Sequence, residues 1–268
     1  METPMQVMFN LNQSRLLPRL FVVTLLAFVT PLSTAHATWS VVAVDPRTGQ
    51  VGAAGASCYP GVETIARVVP GKGAVVAQGL TSDAGRDHAA KMLQEGNAAK
   101  QVVDTIKSSK VDKSFFVVRQ LRQYGVASLH DGIASVASST GMLTRGARGS
   151  REAAGVSVQG NILASERVLD KTLEQFVKTP KSCGMAIALL NALEAGAREG
   201  GDKRCPAEQG ALSAFLIVAQ VGDKANASSI RLIAPDQPRG GANPVLLLRK
   251  TLRDHFAKHA SAVEGCPL

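Results

Sequence analysis

Aromatic side chains make up only 4% of this 268-residue chain, which has one Trp, two Tyr and eight Phe. Grooves that track single-stranded nucleic acid interleave stacking residues with basic ones. Here the basic residues are scattered without such a stripe, so the formal net charge of +9 reads as solvated surface charge rather than a specific nucleic-acid site. The apolar run at residues 20–30 (LFVVTLLAFVT) has eleven residues, far short of the ~20 that span a bilayer. No C-x-x-C pair exists, so the cysteines match no zinc site. His255 and His259 stand four apart, but no carboxylate completes an H-E-x-x-H pattern. Gly71-Lys72-Gly73 lacks the spacing and the Ser or Thr of a phosphate loop, and residues 155–159 lack the last Gly of a nucleophile elbow. Nothing in the sequence calls for a metal or another cofactor.

A secretory leader is present in pattern. Arg15 and Arg19 form a basic region, the apolar run follows, and Ala35 and Ala37 place small residues at −3 and −1 of a cut before Thr38. The competing cut after Ala35 leaves His36 first. No Cys stands at either cut, which disfavours a lipoprotein. The reading is an exported protein, periplasmic or secreted, with no transmembrane segment after processing. Removing residues 1–37 takes away Arg15, Arg19 and Glu2 and leaves 231 residues with a net charge of +8. That length suits a single domain over residues 38–260, with a tail at 261–268. Cys58, Cys183, Cys205 and Cys266 all lie in the exported part, an even count that favours disulfides in an oxidising compartment. Cys183 with Cys205 is disfavoured, because a long helix after Cys183 carries the chain about 25 Å away. Cys58 with Cys205 is the leaning, since both fall in loops placed near the proposed site.

From Thr38 the pattern alternates strands and helix pairs. Strands are expected at 38–45, 50–57 and 73–78, and helices at 83–95 and 98–108. Strands are then expected at 115–121, 124–129 and 133–138. A Gly- and Arg-rich loop at 141–155 precedes a strand at 156–159 and helices at 166–177 and 182–198. Strands at 211–220 and 229–234 and a helix at 245–258 complete the chain. This order predicts an α+β fold, a four-layer αββα sandwich of two stacked, mainly antiparallel sheets covered by helix pairs. Asn226-Ala227-Ser228 is a glycosylation sequon, meaningful only where that machinery exists.

Three blocks carry a resemblance. They are Thr38-Trp39-Ser40-Val41-Val42-Ala43-Val44-Asp45-Pro46-Arg47-Thr48-Gly49, then Ser157-Val158-Gln159-Gly160-Asn161, then Gly200-Gly201-Asp202-Lys203-Arg204 with Gln209. In this order the chain resembles the domain of unknown function 1028 family. The resemblance implies a fold like that of the N-terminal-nucleophile (Ntn) hydrolases and leaves activity unassigned. The chain departs from the family pattern at residues 145–151, where Arg145, Arg148 and Arg151 replace an aromatic- and His-containing stretch, and where Cys205-Pro206 interrupts the third block.

A threonine freed at the N-terminus combines nucleophile and base, because its own α-amine, with an ordinary pKa of about 8, accepts the hydroxyl proton. Thr38 is therefore the candidate nucleophile for hydrolysis of a small amide or peptide. Asn161 and Gly160 are candidates for stabilising the oxyanion. Asp202, Arg204 and Gln209 form a polar set suited to orienting the amine or holding a substrate carboxylate. Ser57 ends the second strand within reach of the terminal amine. The competing reading is a non-catalytic envelope binding or assembly protein that engages an anionic polymer through Arg145, Arg148 and Arg151. A homo-oligomer is compatible with either.

Overall fold

A computed structural model describes residues 38–224, 227–258 and 265–266. The proposed leader with its cut, Asn226 of the sequon and most of the tail lie outside the described residues.

The first hairpin sets the frame. Strand β1 (Thr38–Val44) runs antiparallel to β2 (Val51–Ser57), and both are buried along their whole length. A strand buried on both faces needs no polar alternation, which is why the TWSVVAV and VGAAGAS runs read as nearly continuous small or apolar stretches. Side chains still alternate in direction. Trp39, Val41 and Ala43 join one buried cluster, whereas Val42 and Val44 join another.

Among the described residues, ten strands form two sheets with antiparallel pairing throughout. The elements follow β2 as β3 (Ala66–Val69), β4 (Gly73–Gly79), α1 (Asp83–Gln94), α2 (Ala99–Ile106), α3 (Phe116–Arg119), β5 (Arg122–His130) and β6 (Ile133–Thr140). Then come β7 (Ala147–Ala153), β8 (Val156–Leu163), α4 (Arg167–Lys178), α5 (Gly184–Arg198), β9 (Ser213–Ala219), β10 (Ile230–Ala234) and α6 (Pro244–Lys258). The six-stranded sheet has the order β10-β9-β2-β1-β8-β7, and the four-stranded sheet β3-β4-β5-β6. Central β1 thus pairs with its hairpin partner on one side and with β8, more than a hundred residues on, at the other.

Three clusters hold these elements together. The first packs β1, β2, β8 and β9 against α4, α5 and α6; the second joins the two sheets through Val42, Val51, Ala53, Ala74, Val76, Ala127, Phe215 and Ile217; the third packs β4 and β5 on α1 and α2. Each fully buried Leu, Ile or Phe contributes roughly 1.5–3 kcal/mol by leaving water. Trp39 anchors the first cluster, with its indole Nε1 donating to the Leu193 carbonyl at 3.2 Å. Gly196 leaves room for that ring, since a Cβ there would lie 2.7 Å from Nε1.

Residues 115–121 were expected as a strand because FFVV is β-branched and aromatic, yet α3 forms there, with no buried residue to demand a pleated face. The expected loop 141–155 contains β7, an edge strand whose polar ARGSREA run carries no apolar alternation. β3, four residues paired with β4, was missed for its shortness. Cysteine pairing is Cys58–Cys205 and Cys183–Cys266.

Candidate functional site

The space between the sheets is apolar at one end and polar at the other, and strand parity says why. On β1 the residues that share a face with Val42 and Val44 are Ser40 and Thr38. On β8 the corresponding face carries Ser157, Gln159 and Asn161, on β4 it carries Gln78, and on β5 Gln123. All seven side chains are buried. Buried polar groups are tolerated only when hydrogen-bonded, and all of these but the Thr38 hydroxyl are paired, mostly with one another. Ser40 Oγ donates to Gln78 Oε1 at 2.6 Å, and Gln159 Nε2 donates to Ser40 Oγ at 2.7 Å. Gln78 Nε2 donates to Gln123 Oε1 at 2.8 Å and to the Thr38 carbonyl at 3.3 Å. Asn161 Nδ2 donates to the same Gln123 Oε1 at 3.0 Å. Gln123 Nε2 in turn faces Thr140 Oγ1 and the carbonyls of Gly149 and Gly160 at 2.9, 3.1 and 2.9 Å.

Thr38 stands at the head of β1 directly opposite Asn161 on β8. On the other side, one step beyond the Trp39–Ala56 pair, it comes to Ser57 at the end of β2. Thr38 is fully buried, and its Oγ1 has no hydrogen-bond partner among the described residues. Asn161 sits at an irregularity: between Ala147 and Gly149 on β7 the register slips, so β8 carries an extra residue there. Ile162, just after Asn161, adopts φ 50°, a region a β-branched residue enters only under constraint. Such bulges turn a side chain out of the regular pleat.

The third sequence block folds onto the same end. Asp202 bridges to Leu163 at the end of β8, and its amide donates to the Gly210 carbonyl at 2.9 Å. Its buried carboxylate accepts the Cys58 N–H at 2.6 Å and pairs with the Arg204 guanidinium at 2.9 Å. The Cys58–Cys205 disulfide ties this loop covalently to the residue after Ser57. Thr38, Ser57, Gly160, Asn161, Asp202 and Arg204 therefore gather at one end of the six-stranded sheet. Gln209 does different work: its Nε2 donates to the Pro238 carbonyl at 2.8 Å and its Oε1 accepts the Gly240 N–H at 2.9 Å, which pins a neighbouring loop. Gln78 and Gln123 were not singled out from sequence. Gln78 closed the expected strand 73–78, whereas Gln123 fell between the expected strands 115–121 and 124–129 and lies inside β5 only in the structure.

The arginine stretch is largely engaged within the molecule. Arg151 pairs with Asp170 at 2.6 Å and Glu166 at 3.2 Å, and Arg148 donates to the Thr144 and Met142 carbonyls. At the same end of the molecule, Phe115, Phe116, Val117, Met142 and Leu143 expose large apolar side chains. The Met142 and Leu143 amides donate to Gln120 Oε1 and to its carbonyl at 3.3 and 2.8 Å, which holds the two segments together. Two open cavities of about 510 and 620 Å³ lie elsewhere, lined by neither Thr38 nor Asn161. Among the described residues there is no group of three or more His, Cys, Asp or Glu placed to hold a metal, and no helix is long and apolar enough to cross a membrane.

Comparison with known proteins adds the lineage. No functionally curated protein matches the chain. The crystal structure of protein SPO2555 from Silicibacter pomeroyi, described with the DUF1028 family model, is similar in fold, with a TM-score of 0.66 and 22% identity over 82% of this chain and 89% of that one. The family model described as "Family of unknown function (DUF1028)" matches residues 38–240, beginning at Thr38 itself. With that match spanning most of its length and all three sequence blocks, the chain belongs to the DUF1028 family.

Proposed function

We propose that this chain is an exported amide or peptide hydrolase of N-terminal-nucleophile type, that its two sheets and flanking helices constitute the four-layer αββα sandwich of that fold, and that Thr38 is its nucleophile. The observation that carries the reading is the Thr38 hydroxyl, fully buried without a hydrogen-bond partner among the described residues and opposite the Asn161 carboxamide. A buried hydroxyl left unsatisfied costs about 1–3 kcal/mol, and a site of reaction gives such a cost a purpose. The family match beginning at Thr38 agrees with processing there.

Before cleavage the Thr38 nitrogen belongs to a peptide bond and cannot act as a base. After cleavage, the free amine takes the hydroxyl proton as Thr38 Oγ1 attacks the substrate carbonyl carbon. The second N–H of Asn161 Nδ2, the one not given to Gln123, stabilises the oxyanion. The C–N bond then breaks as the amine returns the proton to the leaving nitrogen, and water cleaves the resulting ester by the same route. Asp202 and Arg204 shape the rim beside Ser57, and the exposed Phe116, Met142 and Leu143 favour substrates with an apolar group.

Terminal sequencing of the exported protein should read Thr-Trp-Ser. The processed protein should hydrolyse members of a panel of acyl amides and short peptides, and Thr38→Ala should lower kcat by about a thousandfold or more, the loss typical of removing a nucleophile. A different N-terminus, or full turnover by Thr38→Ala, would refute the assignment.

A further inference from the structure

We propose that Gln123, backed by Gln78, is the positioning residue of this site: its single carboxamide oxygen sets the Asn161 donor and the Thr38 strand end in fixed relation to each other. The inference rests on Thr38 being the nucleophile and concerns how that site is held.

Two donors converge on Gln123 Oε1. One is Asn161 Nδ2 at 3.0 Å, the oxyanion donor, and the other is Gln78 Nε2 at 2.8 Å, which also reaches the Thr38 carbonyl at 3.3 Å. Nucleophile and oxyanion donor sit on neighbouring strands of one sheet, whereas Gln78 and Gln123 belong to the other sheet. The amide chain therefore fixes the site across the two sheets, where the β1–β8 ladder alone would leave the Asn161 side chain free to turn. Gln123 cannot flip, because its Nε2 faces three acceptors, Thr140 Oγ1 and the Gly149 and Gly160 carbonyls. The last two carbonyls flank the bulge at Asn161 and Ile162, so the same carboxamide braces the backbone that aims the donor. A donor misplaced by about an ångström loses most of its effect on a developing oxyanion, which makes this brace a determinant of kcat rather than of binding.

Gln159 supplies the comparison. It is an equally buried carboxamide of the same cluster, but it bonds to Ser40 and not to Asn161 or to Thr38. In the processed protein, Gln123→Met should lower kcat at least about tenfold with KM within about threefold, the signature of an interaction made in the transition state. It should also slow labelling of Thr38 by an electrophile selective for terminal threonines by a similar factor. Gln159→Met should reduce stability comparably while keeping kcat within about threefold. Equal losses of kcat in Gln123→Met and Gln159→Met, or labelling of Thr38 at the wild-type rate in a folded Gln123→Met, would overturn the positioning role while leaving Thr38 as nucleophile. Wild-type protein that is neither labelled nor active would instead overturn the hydrolase reading, and this inference with it.

Discussion

Gly125 shows how tightly single residues are constrained at the polar end of the inter-sheet space. A Cβ there would lie 1.9 Å from Gln159 Oε1 and 2.3 Å from Cδ, so β5 approaches β8 only because this position carries no side chain. Alanine would have to displace the Gln159 carboxamide from Ser40, leaving buried polar groups unpaired. Gly125→Ala should therefore lose about 2–3 kcal/mol in urea unfolding. Adding Gln159→Ala, which vacates the space, should restore part of that loss, and simple additivity of the two changes would contradict the packing described. The sequence made one side of this network legible. The S-V-Q-G-N block marked Gly160 and Asn161, and the hairpin marked Thr38 and Ser57. It gave no means of finding Gln78 and Gln123, because their partners lie on another sheet and pairing between sheets depends on long-range packing that no local pattern encodes.

At the scale of elements, strands with a buried face were readable, and strands or helices lacking one were not. β1, β2 and β9 announced themselves through small and β-branched runs, β8 (Val156–Leu163) did so only over residues 156–159, and α5 was marked by its long apolar stretch. β7 did not, since its ARGSREA run reads as polar loop, and α3 misled because exposed Phe115, Phe116 and Val117 imitate a buried strand. Nor did residue types disclose the bulge in β8, which is a matter of register with β7. Its strain is testable. Glycine adopts the φ of 50° at Ile162 without steric cost, so Ile162→Gly should be neutral or stabilising by up to about 1 kcal/mol, after the small loss of a half-buried side chain. A strand-interior glycine elsewhere in β8 should instead destabilise. If thermal unfolding shows Ile162→Gly costing as much as such a control, the backbone at Ile162 is not strained.

For the molecule as a whole, acid stability follows from its carboxylates. Asp104 and Glu174, each between two lysines, are held down at about 2, but both are exposed and salt weakens their pairs. The buried pair is different. Asp112 and Arg122 expose 4% and 10% of their side chains and meet at 2.7 Å. Burial alone would raise the Asp112 pKa, yet hydrogen bonds from the Arg122 guanidinium and from Ser114, with the Arg122 charge, hold it below the ordinary 3.8. Arg122 also donates to the Leu80 and Thr81 carbonyls, so this pair ties the start of β5 to the end of β4 beside Gln123. A carboxylate with a depressed folded pKa lends stability that is complete above its unfolded value and disappears as pH falls through the folded one. Asp112→Asn leaves Arg122 without its counter-charge and should cost roughly 2–4 kcal/mol at pH 7. Below 3.8 the wild-type carboxyl protonates as well, so the two proteins should converge in urea midpoint as the pH drops through the depressed folded value. Raising the ionic strength should leave the gap at neutral pH nearly intact, because a buried pair is poorly screened. A gap that stayed constant from pH 7 down to the acid transition would mean that Asp112 contributes through its shape and not its charge.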